Sequence, residues 1–246
     1  MEQRKIIDVH AHILPGVDDG AANLEESCRL MEKAVSQGVA GIIATPHDTR
    51  EWEPAALREL ATEVEKEFQR RWPDFSLYLG QEIFYHEEMP ERLKAGELLT
   101  MADSRYVLVE FATDVPYGSL YRGIRRLVAG GYLPVLAHME RYGCLRREEN
   151  LRDLEGSGCL FQMNYASLQG RRFQPDVRWC RRQVLAGRIH YLGTDMHRMR
   201  FRPPETGGAM EWAERHVEET LLREMTWENP LRILHTARTI NKEGIQ

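Results

Sequence analysis

Seven short apolar runs alternating with stripes of helical spacing constrain this chain more than any other feature of it. Ile6, Ile7 and Val9 begin the series, and residues 41–45, 77–83, 106–111, 133–138, 160–164 and 189–195 continue it. Continuous apolar runs of this length read as strands of a parallel sheet buried on both faces. Between them, Leu24, Cys28, Met31 and Val35 repeat at 4-3-4 spacing, with Asn23 as cap, Glu26 as its capping-box partner and Gly38 as terminator. Leu57, Leu60, Val64 and Phe68 form the next stripe, stopped before Pro73, and Leu120, Ile124 and Leu127 another before Gly130 and Gly131. Residues 149–156 and 175–187 read as further helices. After the last strand, Met210, Ala213, Val217 and Leu221 share a helical face, and Asn229-Pro230 reads as a cap and first turn opening a final helix through Leu234 and Ala237. Strands alternating with helices imply a parallel sheet, closed into a barrel or doubly wound. No linker or repeat divides residues 1–246, which read as one domain.

The polar residues are placed as regularly as the apolar ones. His12, His47, Glu82, Glu110, His138 and Asp195 each stand at or near the C-terminal end of an expected strand. In a parallel barrel all those ends open on one mouth. His10 and His12, two residues apart, point the same way on a strand, and Pro15, Gly16 and Gly20 turn the chain so that Asp18 or Asp19 can approach them. The pair by itself fits a metal nucleus and an unremarkable strand end equally well. The other strand ends make the metal site the better account.

Composition narrows the class. A 42% hydrophobic, 29% charged chain is globular, and no apolar run reaches the length of a membrane span. The net charge of −5 and the lack of a basic, aromatic-studded patch argue against nucleic acid. Met1 to Lys5 lead straight into the first strand and leave no room for a signal peptide, and Cys28, Cys144, Cys159 and Cys180 are scattered. A cytoplasmic protein with reduced thiols fits. Six positions after those cysteines come Ala34, Asn150, Tyr165 and Ala186 rather than arginine, which excludes a cysteine-nucleophile phosphatase loop. No nucleotide P-loop motif occurs.

His10-Ala-His12 with Asp18-Asp19-Gly20, Ala44-Thr-Pro-His47, Gly80-Gln-Glu82, Val109-Glu-Phe111, His138-Met-Glu-Arg141 and Thr194-Asp-Met-His197 occur in the order of the PHP (polymerase and histidinol phosphatase) superfamily. Over about residues 6 to 236 the chain resembles the bacterial manganese-dependent tyrosine-protein phosphatases of capsule and exopolysaccharide loci. The resemblance implies a distorted seven-stranded (β/α) TIM-like barrel with three divalent ions at its mouth, manganese, with iron or zinc as alternatives. It implies that His10, His12, Glu82 and Asp195 hold one ion, that Glu82 bridges to a second held with Glu110 and His138, and that Asp19, His47 and His197 hold the third. Arg141 matches the arginine that contacts substrate phosphate. Met139 and Met196 depart from the family pattern without replacing a ligand.

Nine N/O ligands without thiolate suit Mn, Fe or Zn, and about three protein ligands per ion leave room for water, as in a catalytic site. Roughly +6 from three ions against −4 from four carboxylates leaves a cationic pocket suited to a phosphomonoester dianion. The expected reaction is in-line attack of a metal-bound hydroxide on a phosphomonoester, and the resemblance implies phosphotyrosine on the tyrosine-rich tail of a bacterial kinase controlling polysaccharide synthesis as the substrate. A histidinol-phosphate phosphatase would use the same ligands, and a non-catalytic metal-binding regulator is the reading from another class. Asp18 is a candidate acid or a solvated loop residue. Arg198, Arg200 and Arg202 form a rim at the mouth or a solvated loop. Asn164 and Ser167 are candidates for orienting ligands, Tyr165 for stacking on an aromatic substrate, and His86, His190, His216 and His235 read as surface or packing histidines.

Overall fold

A computed structural model describes residues 5–243, with side chains to residue 236; Met1 to Arg4 of the leading segment and the Ala237 side chain lie outside the described residues. The chain alternates strands β1 (Ile6–Ala11), β2 (Val39–Ala44), β3 (Ser76–Leu79), β4 (Glu82–Phe84), β5 (Tyr106–Glu110), β6 (Leu133–Leu136), β7 (Leu160–Asn164) and β8 (Tyr191–Gly193) with helices. The helices are α1 (Leu24–Val35), α2 (Pro54–Gln69), α3 (Met89–Ala95), α4 (Tyr117–Ala129), α5 (Glu148–Gly156), α6 (Pro175–Leu185), α7 (Gly207–His216), α8 (Glu219–Arg223) and α9 (Asn229–Glu243). Strand pairing is parallel throughout, in a three-stranded sheet ordered β1-β2-β3 and a five-stranded sheet ordered β4-β5-β6-β7-β8.

The α/β alternation is as expected, but the single run of seven strands is not, because residues 77–83 do not make one strand. At Gly80-Gln81 the chain stops pairing with β2 and starts pairing with β5. Gly80 N–H still donates to Ala44 O at 2.8 Å, while the buried Gln81 side chain turns away and accepts from Leu99 N–H, also at 2.8 Å. An apolar run hides such a break, since both halves remain buried. The two sheets meet along two seams. At one, Asp195 N–H donates to His10 O and His12 N–H to Met196 O, both at 2.8 Å; at the other, Glu82 N–H donates to Pro46 O at 3.0 Å.

Alternate strand residues serve two cores, as a period of two requires. Ile42 and Ala44 join the large core with Leu30, Leu57 and Leu120 of the flanking helices. Ile43, with Ile7, Val9 and Leu108, joins a smaller one that includes Ile233 and Leu234 of α9. Met139 and Met196 are fully buried packing residues. Tyr165 is too, which removes it from the mouth and overturns its expected stacking role; its pKa is pushed up by burial and by the nearby Asp8.

Other local expectations shift by small amounts with clear causes. Asn23 caps α1 by accepting from Glu26 N–H at 2.9 Å, but Glu26 reaches back to Ala22 N–H rather than to Asn23. The buried face of α1 is Ser27, Leu30, Met31 and Ala34, with Leu24, Cys28 and Val35 at its margin. Met210, Ala213 and Val217 are buried, but Val217 is already extended, so Leu221 belongs to the separate α8. Asn229 does not cap α9. The chain enters it through a π-helical turn, Glu224–Glu228, and Asn229 donates instead to His190 O at 3.0 Å. Wider i→i+5 bonding tolerates the N–H that Pro230 lacks.

Candidate metal centre

His10 and His12 leave β1 side by side, with their Nε2 atoms 3.2 Å apart. Both lie 3.3 Å from Glu82 Oε2, and 3.6 and 3.7 Å from Asp195 Oδ1. Four donors held tetrahedrally at the usual 2.0–2.2 Å from a divalent ion would stand about 3.3–3.6 Å from one another. Five of the six pairs among these four donors therefore already have about the spacing of a coordination shell, and their chemistry fits the expected ion.

The remaining expected residues surround this group. His138 Nε2 is 2.9 Å from Glu82 Oε1 and 3.3 Å from Glu110 Oε1. His197 Nε2 is 3.4 Å from Asp19 Oδ1, and His47 Nε2 is 3.8 Å from the same oxygen. His47 also faces the other way, with Nδ1 3.2 Å from Glu82 Oε2, so it stands between two groups: His12, Asp19, His47 and His197 on one side, and His47, Glu82 and Glu110 on the other. All nine residues are thus brought into one cluster. Arg141 reaches it as well, donating to Asp195 Oδ2 at 2.6 Å.

Backbone geometry shows what this convergence costs. His138 and Asp195 both sit in the left-handed region, at φ of 32° and 52°. For non-glycine residues such positions cost about 1–3 kcal/mol and persist only where the surroundings impose them. Two glycines make room for the first pair of imidazoles. A Cβ on Gly20 would lie 2.2 Å from His12 O, and one on Gly193 would lie 2.8 Å from His10 Cβ.

The outer hydrogen bonds fix which ring nitrogen faces the cluster. His12 donates from Nδ1 to Asp18 Oδ2 at 2.8 Å, leaving Nε2 turned inward. Asp18 also accepts from His47 N–H and Gly20 N–H, both at 2.9 Å. It is neither a solvated loop residue nor an available acid: burial works to raise its pKa, but the His12 interaction and these two N–H donors bring it down to about 2. Loop geometry therefore separates the two aspartates, with Asp18 behind His12 and the exposed Asp19 facing His47 and His197. Orienting carboxylates of this type typically contribute 10–100-fold to metal affinity. Asp18→Asn is expected to weaken metal binding by about that factor with the fold intact; unchanged affinity in a metal titration would refute the role.

Sequence reasoning missed Gln162. Its Oε1 accepts from His10 Nδ1–H at 3.1 Å and from His138 N–H at 2.6 Å, and its Nε2 donates to Asn164 Oδ1 at 2.9 Å. Asn164 in turn donates to Asp195 Oδ2 at 2.8 Å, as an orienting residue should. The signal was two amides at i and i+2 in an otherwise apolar strand. Ser167 acts one step further out, on Glu140 Oε1 at 2.6 Å. Asp8 was also missed: fully buried, it accepts from Thr194 N–H and Oγ1–H at 3.0 and 2.5 Å, and burial pushes its pKa up to about 6.

The rim arginines divide. Arg198 is occupied holding the loop carbonyls of Asp19 and Gly20, at 3.0 and 2.9 Å. Arg202, itself left-handed at φ 60°, points inward and donates to both Asp195 oxygens at 3.0 Å. Arg200 is exposed. Among the other histidines, His190 is a packing residue whose Nδ1 accepts from Phe161 N–H at 3.1 Å, and His216 bonds to Trp212 O on the surface.

Electrostatically the cluster favours protons on imidazole where carboxylates face it. Burial opposes charge on His12, yet Asp18 and Glu82 push its pKa up to about 10, and Glu110 and Glu82 similarly raise His138 to about 9. Burial acts to raise Glu82 but its histidine neighbours hold it well below the ordinary range, and Asp195 is lowered in the same way. Burial and the neighbouring His12 lower His197 to about 4. A cation entering this site must displace the His12 and His138 protons, so its affinity falls as pH falls.

The sequence profile of the capsular polysaccharide synthesis CpsB/CapC family matches residues 6–235. Tyrosine-protein phosphatase CpsB of Streptococcus pneumoniae is 31% identical over 245 residues, covering 93% of this chain and 98% of that protein. Tyrosine-protein phosphatase YwqE of Bacillus subtilis is 34% identical over 220 residues, covering 88% and 87%. The fold superposes on a solved structure from a study of YwqE and CpsB as metal-dependent tyrosine phosphatases, with a TM-score of 0.85, 32% identity and coverage of 94% and 95%.

Proposed function

The chain belongs to the CpsB/CapC family of capsular polysaccharide synthesis, and from that membership and its site we infer a metal-dependent protein-tyrosine phosphatase. The observation that carries this reading is the convergence of His10, His12, Glu82 and Asp195 at ligand spacing. We read the centre as three divalent ions, manganese first among the candidates. His10, His12, Glu82 and Asp195 would hold one, Glu82, Glu110 and His138 a second, and Asp19, His47 and His197 a third. The two sheets, with β3 and β4 taken as one interrupted strand, would then be one distorted seven-stranded barrel around that centre.

Bound ions supply positive charge to a phosphate dianion and lower the pKa of a water held beside it. The chain supplies the rest. Asp18, Gln162 and Asn164 hold ligand side chains in orientation, so little reorganisation is needed as charge develops. Arg141 and Arg202, each about a third exposed, line the mouth where guanidinium N–H groups can take non-bridging phosphate oxygens. A phenolate leaving group, with a conjugate-acid pKa near 10, departs with little help, consistent with the absence of an available acid at Asp18. Beside the mouth, Phe201 is 58% exposed and set edge-on to His197 at 6.4 Å between centroids, where a tyrosyl ring can pack against it. The substrate we propose is the tyrosine-rich tail of a bacterial kinase, met in the cytoplasm; no helix among the described residues is long and apolar enough to cross a membrane.

Manganese-loaded protein is expected to hydrolyse a phosphotyrosine peptide in preference to histidinol phosphate. A strong preference for histidinol phosphate would replace this reading, and no turnover of either compound or of an aryl phosphate would end it. Arg141→Ala should raise KM about 10–100-fold, the loss of a charge-assisted phosphate contact. Elemental analysis should find its metal content unchanged; lost metal would contradict the role.

A further inference from the structure

Five arginines fall within residues 171–182, against one acid, Asp176. No basic patch is evident in the linear sequence as a whole, but the fold builds one by setting α6 beside α7. Arg178, Arg181, Arg182 and Leu185 lie at i, i+3, i+4 and i+7 on one face of α6. With Arg172 and with Trp212 of α7 they line a hollow of about 520 Å³. Arg181 is its fixed floor, donating to Leu168 O at 2.9 and 3.1 Å and stacking 4.9 Å over Trp212. The other three have no carboxylate partner among the described residues, and Asp176 is drawn off to Arg146 at 3.1 Å. Leu185, which lines the hollow, is 53% exposed, and Phe173, in the segment before the helix with Arg171 5.9 Å over its ring, is 67% exposed.

In a chain of net charge −5, a row of uncompensated arginines accompanied by two solvent-facing apolar side chains is complementary to a surface that is anionic outside and apolar beneath. We propose that the α6–α7 face docks on anionic phospholipid, with phosphodiester head groups in the arginine hollow and Phe173 and Leu185 entering the acyl boundary. A nucleic acid or an acidic peptide would satisfy the arginines but give Leu185 and Phe173 nothing to enter.

Sedimentation with vesicles tests this. The full protein should pellet with phosphatidylcholine vesicles containing about 30% phosphatidylglycerol, not with phosphatidylcholine alone, and should be released by raising salt from about 0.1 M to ~0.5 M. Each arginine at such a surface contributes about fivefold to partitioning, so Arg178→Glu with Arg182→Glu should lower binding at least ~10-fold. Phe173→Ser with Leu185→Ser should weaken it too, and both variants should hydrolyse an aryl phosphate normally, which reports an intact fold. The proposal is overturned by failure of the unaltered protein to bind anionic vesicles, by equal binding to neutral ones, by double variants that still bind, or by binding to polyglutamate or an oligonucleotide in place of vesicles.

Discussion

Glu82→Gln is expected to reduce turnover by at least ~10³-fold, equivalent to about 4 kcal/mol of transition-state stabilisation. Glu82 is fully buried and faces four imidazoles: Oε2 lies 3.3 Å from His10 and His12 and 3.2 Å from His47, while Oε1 lies 2.9 Å from His138. Glutamine keeps the shape but removes the charge and puts an NH₂ donor among nitrogens that need an acceptor or a cation. On the proposed three-ion reading, in which this carboxylate would serve two ions, the variant should lose metal at both positions. Leaving buried histidines without their counter-charge should also cost on the order of 3–5 kcal/mol of stability, so the variant should be studied well below its lowered Tm. Near-UV circular dichroism separates a folded, metal-poor protein from an unfolded one. A folded variant with full metal content and unaltered turnover would remove Glu82 from the centre.

Chelation should produce the second large effect, on activity and stability together. Turnover should vanish and return on adding Mn²⁺, with Mg²⁺ a poor substitute for an imidazole-rich site. A ligand at about 100 times its Kd stabilises the state that binds it by about 2.7 kcal/mol. For a domain of this size that corresponds to roughly 5–10 °C in Tm per occupied site. The fold should nonetheless survive, because Arg141, Arg202 and Asn164 all bond to Asp195 within the protein itself. Activity that persists after exhaustive chelation, with metal verified absent, would contradict a metal-dependent reaction.

The parts of this protein legible in its sequence are those written in a period. Strands buried on both faces appear as apolar runs, and their ends carry His12, His47, Glu110, His138 and Asp195, so the mouth could be located without coordinates. What escaped was set by contacts between distant segments. The break at Gly80-Gln81 lies inside a run whose two halves are equally apolar. The separation of Asp18 from Asp19 depends on how a glycine-rich loop folds back on His12. Gln162 gave only an amide in a strand, and its importance comes from His10 and His138 meeting it from two directions. The arginine hollow needs α6 and α7 side by side, some 30 residues apart in the chain.

The two seams have a mechanical consequence. His10, His12, Asp19 and His47 come from one sheet or the loops that follow its strands, while Glu82, Glu110, His138, Asp195 and His197 belong to the other. Any ion shared across that boundary would be a rivet between two arcs otherwise joined by the cores they share, by Thr194 hydrogen-bonded to Asp8 and by a few backbone hydrogen bonds. Emptying the centre should therefore speed amide exchange first at Glu82, Asp195 and His12, whose N–H groups cross the seams, while the middles of β5 and β7 stay protected. The reaction centre would then also be one of the fastenings between the two sheets.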